Sequence, residues 1–448
     1  MGKRNHLLTK ALLLSAFLTG CNGETNYIED HSVYGGDAVY DVFDNEAITK
    51  GIWVTPPDKY RTEDMFQKMA EAGINMVNGF MYAENTEEEI HTVMNYCDKY
   101  GIQYLVNSAL ITDGISLYAQ DQDPSHIQEA MDFLDKFSSH PSFAGVLLLD
   151  EPGGSLFSAI GAYAAAFRER FPDKIANVNL FPDYALGGTG FSRYEDYITH
   201  YLDATKAKVL SYDSYPLYEV DTTSENYIFE DDNYYACLDL LRQLSLDEGV
   251  PLWSFIATMG YVHPTERTRR TPSRADLRWT IFSNLAFGVK GLQYFCYCTP
   301  DQDTYGEAMI NRGGETTDVY YYVKEANEEI SNYEKILLNS DCVGMMLRDY
   351  RRYGQSLHST GLTRFGPIKG IEGDHYLAGC FIDKDNGKKS VYLTPTSPRE
   401  SIHIELKTYP NITQVAAYVK GQPTTITATN NSFVLDIEAG ESVLLCFE

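Results

Sequence analysis

Eight short apolar runs alternate with amphipathic segments between about residues 50 and 338, and this alternation limits the possible folds. The runs have the length of buried strands, and the segments between them have helical spacing. Strands that alternate with helices pair in parallel, and eight such units close a TIM (β/α)8 barrel. We predict strands at 51–55, 74–80, 102–109, 143–149, 175–181, 209–212, 252–258 and 289–297. We predict helices at 62–72, 86–100, 125–138, 156–170, 194–204, 232–244, 273–287 and 319–337.

An open, doubly wound α/β sheet is the alternative arrangement of these units. No Gly-x-Gly-x-x-Gly sequence follows the first predicted strand, which disfavours a dinucleotide-binding fold. The eight cysteines include no Cys-x-x-Cys pair, and no matching pair of histidines suggests zinc. We therefore predict no cofactor and no metal site.

The sequence texture changes after about residue 340. Short alternating runs are separated there by turn residues, a pattern typical of an antiparallel β-sandwich. We predict a barrel domain at 49–338 and a β-sandwich domain at 339–448. The predicted strands of the second domain are 376–382, 389–393, 401–405, 415–419, 424–428, 433–437 and 442–447.

The first 20 residues have the features of a secretory signal. Lys3, Arg4 and Lys10 precede a short apolar run that ends in Leu-Thr-Gly-Cys21, which resembles a bacterial lipobox. The run is shorter than the roughly 20 residues of a membrane-spanning helix. We expect cleavage before Cys21, lipidation of its thiol, a tether over 21–48, and a bacterial protein anchored to the membrane at the cell envelope.

The chain is strongly acidic, with a formal net charge of −27. Loss of residues 1–20 would remove three positive and no negative charges and bring the charge to −30. This excess argues against nucleic acid as a partner and makes a highly acidic polysaccharide a poor substrate. Aromatic residues make up 13% of the chain, and sugar-binding clefts use such rings to stack on pyranoses.

The fourth predicted strand ends in two adjacent carboxylates, Asp150 and Glu151, followed by Pro152. In a (β/α)8 barrel the active site lies at the C-terminal ends of the strands, so a catalytic role is favoured over a capping role. Neighbouring strand residues point to opposite faces. Only one of the pair therefore needs to face the cleft, unless the backbone twists at Pro152.

The other strand ends carry mainly amides, carboxylates and aromatic rings, which suit a neutral, hydroxyl-rich ligand. Glycoside hydrolysis needs a proton donor and a second carboxylate. Glu151 is the best donor candidate, and Asp213 is the best second group unless it is a simple turn aspartate; Asp150 and Glu307 are the other options. The predicted substrate-binding residues are Trp53, Asn107, Asn179, Tyr215, His263, Tyr294, Tyr297 and Glu307.

Three stretches carry a family resemblance. His140-Pro-Ser-Phe-Ala-Gly and the following Leu-Asp-Glu-Pro152 resemble the fourth-strand motif of the large retaining clan of (β/α)8 glycoside hydrolases. The Asp-Glu-Pro form is similar to that of proteins related to the family 42 β-galactosidases. The region from Arg270 to Phe295 and the ending at 437–447 are similar to the seventh helix, eighth strand and last strands of those proteins.

The resemblance implies that Glu151 is the acid/base and that Asp150 replaces an asparagine that binds the sugar 2-hydroxyl. It also implies a nucleophilic glutamate at the end of the seventh strand, but Phe255-Ile-Ala-Thr-Met-Gly260 contains no carboxylate. Asp213 could serve instead, or the protein could bind carbohydrate without cleaving it. The adjacent Asp-Glu pair is also similar to that of hexosaminidases, in which a substrate acetamido group is the nucleophile.

Overall fold

Eight parallel strands form a closed barrel in the computed structural model, which describes residues 47–79, 86–219, 231, 233–262, 267–351 and 354–447. The strands pair in chain order, and the last pairs with the first. The predicted fold class is confirmed. The strands are β1 (Thr49–Trp53), β2 (Met76–Asn78), β3 (Gln103–Val106), β4 (Phe143–Asp150), β5 (Ile175–Leu180), β6 (Leu210–Tyr212), β7 (Leu252–Ala257) and β8 (Gly291–Phe295).

Helices surround the barrel. Two of them begin with a capping box, in which a hydroxyl and a carboxylate satisfy backbone N–H groups reciprocally: Thr86 with Glu89, and Ser273 with Asp276. The helices are α1 (Glu63–Glu71), α2 (Glu87–Tyr100), α3 (Ala109–Asp121), α4 (Ser125–Asp135), α5 (Phe157–Arg170), α6 (Leu186–Thr189), α7 (Tyr194–Thr205), α8 (Tyr234–Glu248), α9 (Arg274–Ala286), α10 (Asp318–Ser331) and α11 (Glu334–Leu338).

Helix α3 is a finding that the sequence pattern did not predict. The predicted third strand extended to residue 109, whereas β3 ends at Val106 and a helix starts three residues later. Gly114 lies inside this helix, and glycine lowers the helix propensity of the segment. Ser108 lies at the N-cap position, although its side chain makes no capping hydrogen bond.

The barrel interior is packed with side chains from alternate positions of the strands. Met76, Leu105, Leu147 and Trp253 are almost completely buried there. Trp253 needs space on the next strand, because a Cβ atom on Gly291 would lie 2.4 Å from its ring. The C-terminal end of this core forms the floor of the site described below.

The C-terminal part consists of two antiparallel sheets. The sequence did not predict the first two strands, β9 (Ser340–Arg348) and β10 (Ile368–Glu372). The remaining strands are β11 (Tyr376–Asp383), β12 (Lys389–Pro395), β13 (Ile402–Thr408), β14 (Gln414–Val419), β15 (Gln422–Thr427), β16 (Ser432–Ile437) and β17 (Val443–Phe447). The six-stranded sheet has the order β15-β14-β17-β12-β11-β9, and the three-stranded sheet has the order β10-β13-β16.

The barrel and the C-terminal sheets are in close contact. Gly379 of β11 packs on α9 so closely that a Cβ atom there would lie 1.9 Å from the carbonyl oxygen of Ala286. Arg278 of α9 is fully buried and donates to Glu329 at 2.6 Å and to Glu441 at 2.5 Å. Within the described ranges, no helix is long and apolar enough to cross a bilayer.

Candidate active site

A cavity of about 530 Å³ opens at the C-terminal end of the barrel strands. Its volume lies within the usual range for small-molecule sites. Residues at or beyond the C-terminal ends of β1, β4, β5, β6, β7 and β8 contribute to its wall. The lining residues are Trp53, Asp150, Glu151, Asn179, Phe181, Pro182, Tyr184, Ala185, Asp213, Tyr215, Phe255, Tyr261, Val262, Phe295, Gln302, Thr304 and Tyr305.

Asp150 and Glu151 both line this cavity, although neighbours on a strand normally face opposite ways. The sequence predicted that only one of them needs to face the cleft unless the backbone twists at Pro152, and the backbone departs from strand geometry one residue earlier, at Glu151. Its φ angle is +46°, in the left-handed region that glutamate seldom adopts. The Glu151 N–H donates to the carbonyl oxygen of Asn179 at 2.8 Å, which holds this turn against β5. The two carboxyl groups are therefore brought to the same side.

Asn179 joins the two aspartates. Its side-chain Nδ2 donates to Oδ1 of Asp150 at 3.1 Å and to Oδ1 of Asp213 at 3.0 Å. Because both oxygens bond to one nitrogen atom, they lie within about 6 Å of each other. Asp213 is only 6% exposed and also forms a side-chain hydrogen bond with Glu151. The site thus holds three carboxyl groups in one connected cluster.

The environment favours the protonated form of two of these groups. Burial raises the pKa of Asp150 from 3.8 to about 6, and the hydrogen bond from Asn179 opposes part of that rise. The pKa of Asp213 is also well above its ordinary value, first because of burial and then because of the charges of Glu151 and Asp150. The Glu151–Asp213 pair consequently retains a proton at a pH where an exposed pair would have lost it.

Aromatic rings form much of the remaining wall. Trp53 and Phe255 meet edge to face with 5.2 Å between ring centroids. Tyr215 and Phe295 lie 5.4 Å apart, and Tyr261 contacts both of them. Such a wall offers apolar faces to a ligand, while the carboxyl cluster offers hydrogen-bond acceptors.

Several predicted residues are indeed brought together, namely Trp53, Asn179 and Tyr215 with the three carboxyl groups. The sequence did not single out Phe255, Phe295 or Tyr261 as cavity residues. For Phe255 and Phe295 the available signal is strand periodicity, because they lie on the same strand faces as Trp253 and Gln293. Tyr261 follows β7 and has no such signal. In the loop after β8 the sequence singled out Glu307, whereas three other residues of that loop line the cavity. These are Gln302, Thr304 and Tyr305.

Other predicted substrate contacts lie elsewhere. Tyr294 and Tyr297 are fully buried on the helix side of the barrel, where their hydroxyls donate to Asn327 and to the Met65 carbonyl oxygen. Their predicted contact with substrate is therefore wrong, because neither ring reaches the cavity. Asn107 donates to the carbonyl oxygen of Leu147 beneath the site.

Glu307 is exposed and is not part of the cavity wall. His263 lies outside the described residues, as do Cys21, the predicted signal and all of the predicted tether except its last two residues. Among the residues that the structure describes, no group of three His, Cys, Asp or Glu side chains is placed to hold a metal ion.

Comparison with solved structures identifies the fold. No family model matches the chain, and no curated protein sequence does. The β-galactosidase of Bacillus circulans sp. alkalophilus is similar with a TM-score of 0.61 and 10% identity, covering 90% of this chain and 99% of that one. The chain has a glycosidase-like fold.

Two further structures agree. A family 39 glycoside hydrolase from Bacteroides cellulosilyticus WH2 has a TM-score of 0.52 and 11% identity, covering 90% of this chain and 81% of that one. The β-galactosidase from Marinomonas ef1 has a TM-score of 0.50 and 10% identity over 66% of this chain, and the match spans 62% of that protein. At such identities, the likeness establishes the fold.

Proposed function

We propose that this protein is a glycoside hydrolase that acts on an oligosaccharide or polysaccharide. The observation that carries the proposal is the cluster of Asp150, Glu151 and Asp213 at the floor of an aromatic cavity. Hydrolysis of a glycosidic bond requires a proton for the leaving oxygen and negative charge near the oxocarbenium-like sugar. The cluster contains groups suited to both tasks.

Glu151 is assigned as the general acid/base. Burial and the neighbouring charges raise the pKa of Asp213, which favours a shared proton in the Glu151–Asp213 pair, and Glu151 is the more exposed of the two. Glu151 can therefore deliver the proton to a leaving group in the cavity. Asp213 sets the proton affinity of the pair through their hydrogen bond.

Asp150 is assigned as the negatively charged group. With a pKa of about 6, it is mostly ionised at neutral pH, whereas burial and the charges of Glu151 and Asp150 hold the pKa of Asp213 well above its ordinary value. An ionised carboxylate at the cavity floor stabilises positive charge as the glycosidic bond breaks. This pairing of one protonated and one ionised carboxyl group separates the acid role from the electrostatic role.

The test is turnover of a panel of aryl glycosides, beginning with β-galactosides because β-galactosidases are among the structurally similar proteins. Glu151→Gln keeps the size of the side chain but cannot act as an acid. We expect kcat/KM to fall roughly 10²- to 10⁴-fold. The control is Glu169→Gln, an exposed glutamate on α5, which should leave turnover unchanged. Equal turnover in Glu151→Gln and the wild type would remove Glu151 from this role.

A carbohydrate-binding protein without catalytic activity is the second candidate. One observation favours it: the described residues that end and follow β7, 255–262, include no carboxylate. Calorimetric titration with the same glycans separates the two candidates. Binding of a glycan that the wild-type protein leaves intact over long incubation would favour the binding function.

We also propose that the protein is lipid-anchored at a bacterial cell envelope through Cys21. The support is the basic segment, the short apolar run and the Leu-Thr-Gly-Cys sequence. Detergent partitioning of the expressed full chain tests this. The wild type should enter the detergent phase, and Cys21→Ala should stay in the aqueous phase; identical partitioning would exclude the anchor.

A further inference from the structure

A continuous line of polar side chains crosses the barrel interior beneath the cavity. Each member lies on a different strand, is at most 4% exposed and is hydrogen-bonded to the next. The line ends at the carboxyl cluster. We call it the interior relay; its members are Asn78 of β2, Gln293 of β8, Ser211 of β6 and Asn179 of β5.

The relay has a fixed direction. Asn78 Nδ2 donates to Gln293 Oε1 at 2.9 Å, and Gln293 Nε2 donates to Ser211 Oγ at 2.8 Å. The Ser211 hydroxyl then donates to Asn179 Oδ1 at 3.2 Å. At its start, Asn78 Nδ2 also donates to the backbone carbonyl oxygen of Ile52 at 3.1 Å, which fixes the first amide. Reversal of any amide would place acceptor against acceptor or donor against donor.

We propose that Ser211 and Gln293 are positioning residues, which hold the Asn179 amide so that it presents only its NH2 group to Asp150 and Asp213. The inference rests on the proposed function, since it concerns the same carboxyl groups. Neither residue lines the cavity, so each acts through Asn179.

The chemical consequence follows from the two sides of the amide. An asparagine that can rotate offers NH2 to a carboxylate and its carbonyl oxygen to a protonated carboxyl group, and thereby accommodates both. The relay removes the second option because the Ser211 hydroxyl already donates a hydrogen bond to the side-chain carbonyl oxygen of Asn179. Asn179 then favours the ionised form of Asp150 at every pH. This counteracts burial, which favours the protonated form.

The experiment breaks the relay at one atom. Ser211→Ala removes the hydroxyl between Gln293 and Asn179, and Gln293→Met breaks the preceding link with little change in volume. The control is Ser254→Ala, a buried serine of the neighbouring strand β7 that is not part of the relay. Because these are interior residues, each variant is first checked for a cooperative unfolding transition.

Two readouts are measured in each variant. The first is the midpoint of the Asp150 titration, taken from the pH dependence of unfolding with and without Asp150→Asn in the same background. The second is the pH dependence of kcat/KM. We expect Ser211→Ala and Gln293→Met to move both midpoints upward by about one pH unit, equivalent to one hydrogen bond to a charged group. Ser254→Ala should move neither.

If both midpoints, that of the Asp150 titration and that of the kcat/KM profile, were unchanged in folded Ser211→Ala and Gln293→Met proteins, the inference would be overturned. The relay would then have only a structural role. The first readout needs no turnover. If the wild type proved inactive on every glycoside, the proposed function would fail, while the titration of Asp150 would still support or overturn the positioning role. A midpoint shift in Ser254→Ala equal to that in Ser211→Ala would also overturn it.

Discussion

Asp150 should make the protein less stable as the pH rises from about 4 to about 6. In the folded chain its pKa is about 6, against 3.8 for the ordinary side chain. The folded state therefore binds more protons than the unfolded state between these values, and protonation favours folding. The stabilisation is complete below pH 3.8 and is lost as the pH rises through about 6.

The size of the effect follows from the two pKa values. At about 1.4 kcal/mol per pH unit, the difference amounts to roughly 3 kcal/mol of unfolding free energy. Asp150→Asn cannot ionise, and its carbonyl oxygen can still accept the hydrogen bond from Asn179. Relative to the wild type, this variant should therefore gain about 3 kcal/mol between pH 4 and pH 7.

Urea unfolding, followed by tryptophan fluorescence at about pH 4, 5, 6 and 7, measures this difference. Asp173→Asn, which removes the carboxyl group of an exposed aspartate before β5, is the matched control for the loss of a surface charge. A constant difference between Asp150→Asn and the wild type across this range would refute the reasoning, because it would mean that Asp150 titrates like an exposed aspartate.

Two further predictions concern stability away from the cavity. Arg278→Met should lower the unfolding free energy by about 3–5 kcal/mol in chemical denaturation, because it leaves Glu329 buried without its cation and leaves Glu441 only the more exposed Arg274. A smaller loss in the double variant Glu329→Gln/Arg278→Met would support this cause, and a loss under about 1 kcal/mol in Arg278→Met would contradict it. Neither polar atom of the buried Asn177 side chain has a hydrogen-bond partner among the described residues. Asn177→Leu should therefore raise the melting temperature and add about 1–3 kcal/mol, and a lower melting temperature would count against it.

The sequence was sufficient to predict the barrel because its eight strands are buried and are separated by regular helices. It was not sufficient to predict which face of each strand lines the interior. Both faces of a barrel strand are buried, so polarity does not distinguish them. Gln293 and Phe295 face inward, which turns Tyr294 toward the helices, and this alternation is why the predicted contact failed.

The pairing of Asp150 with Glu151 shows a second limit. Strand geometry predicted that only one of the two needs to face the cleft unless the backbone twists at Pro152, and the left-handed backbone at Glu151 brings both to the cavity. Nothing in a glutamate signals that conformation, since glycine and asparagine are the residues that usually adopt it. Helix α3 was also not predicted from the sequence, because Gly114 inside it lowers the helix propensity of that segment.

The tight contact between barrel and β-sandwich has a consequence for how this chain can be divided. The rings of Phe282 and Tyr392 face each other across the boundary, and the hydroxyls of Tyr333 and Tyr392 are hydrogen-bonded at 2.8 Å. Residues from both sides belong to one continuous apolar cluster. The β-sandwich therefore cannot be removed or replaced without exposing part of the apolar core that it shares with the barrel. Cutting the chain before β9 would expose the buried face of α9 to water, so the smallest unit that can fold includes both parts.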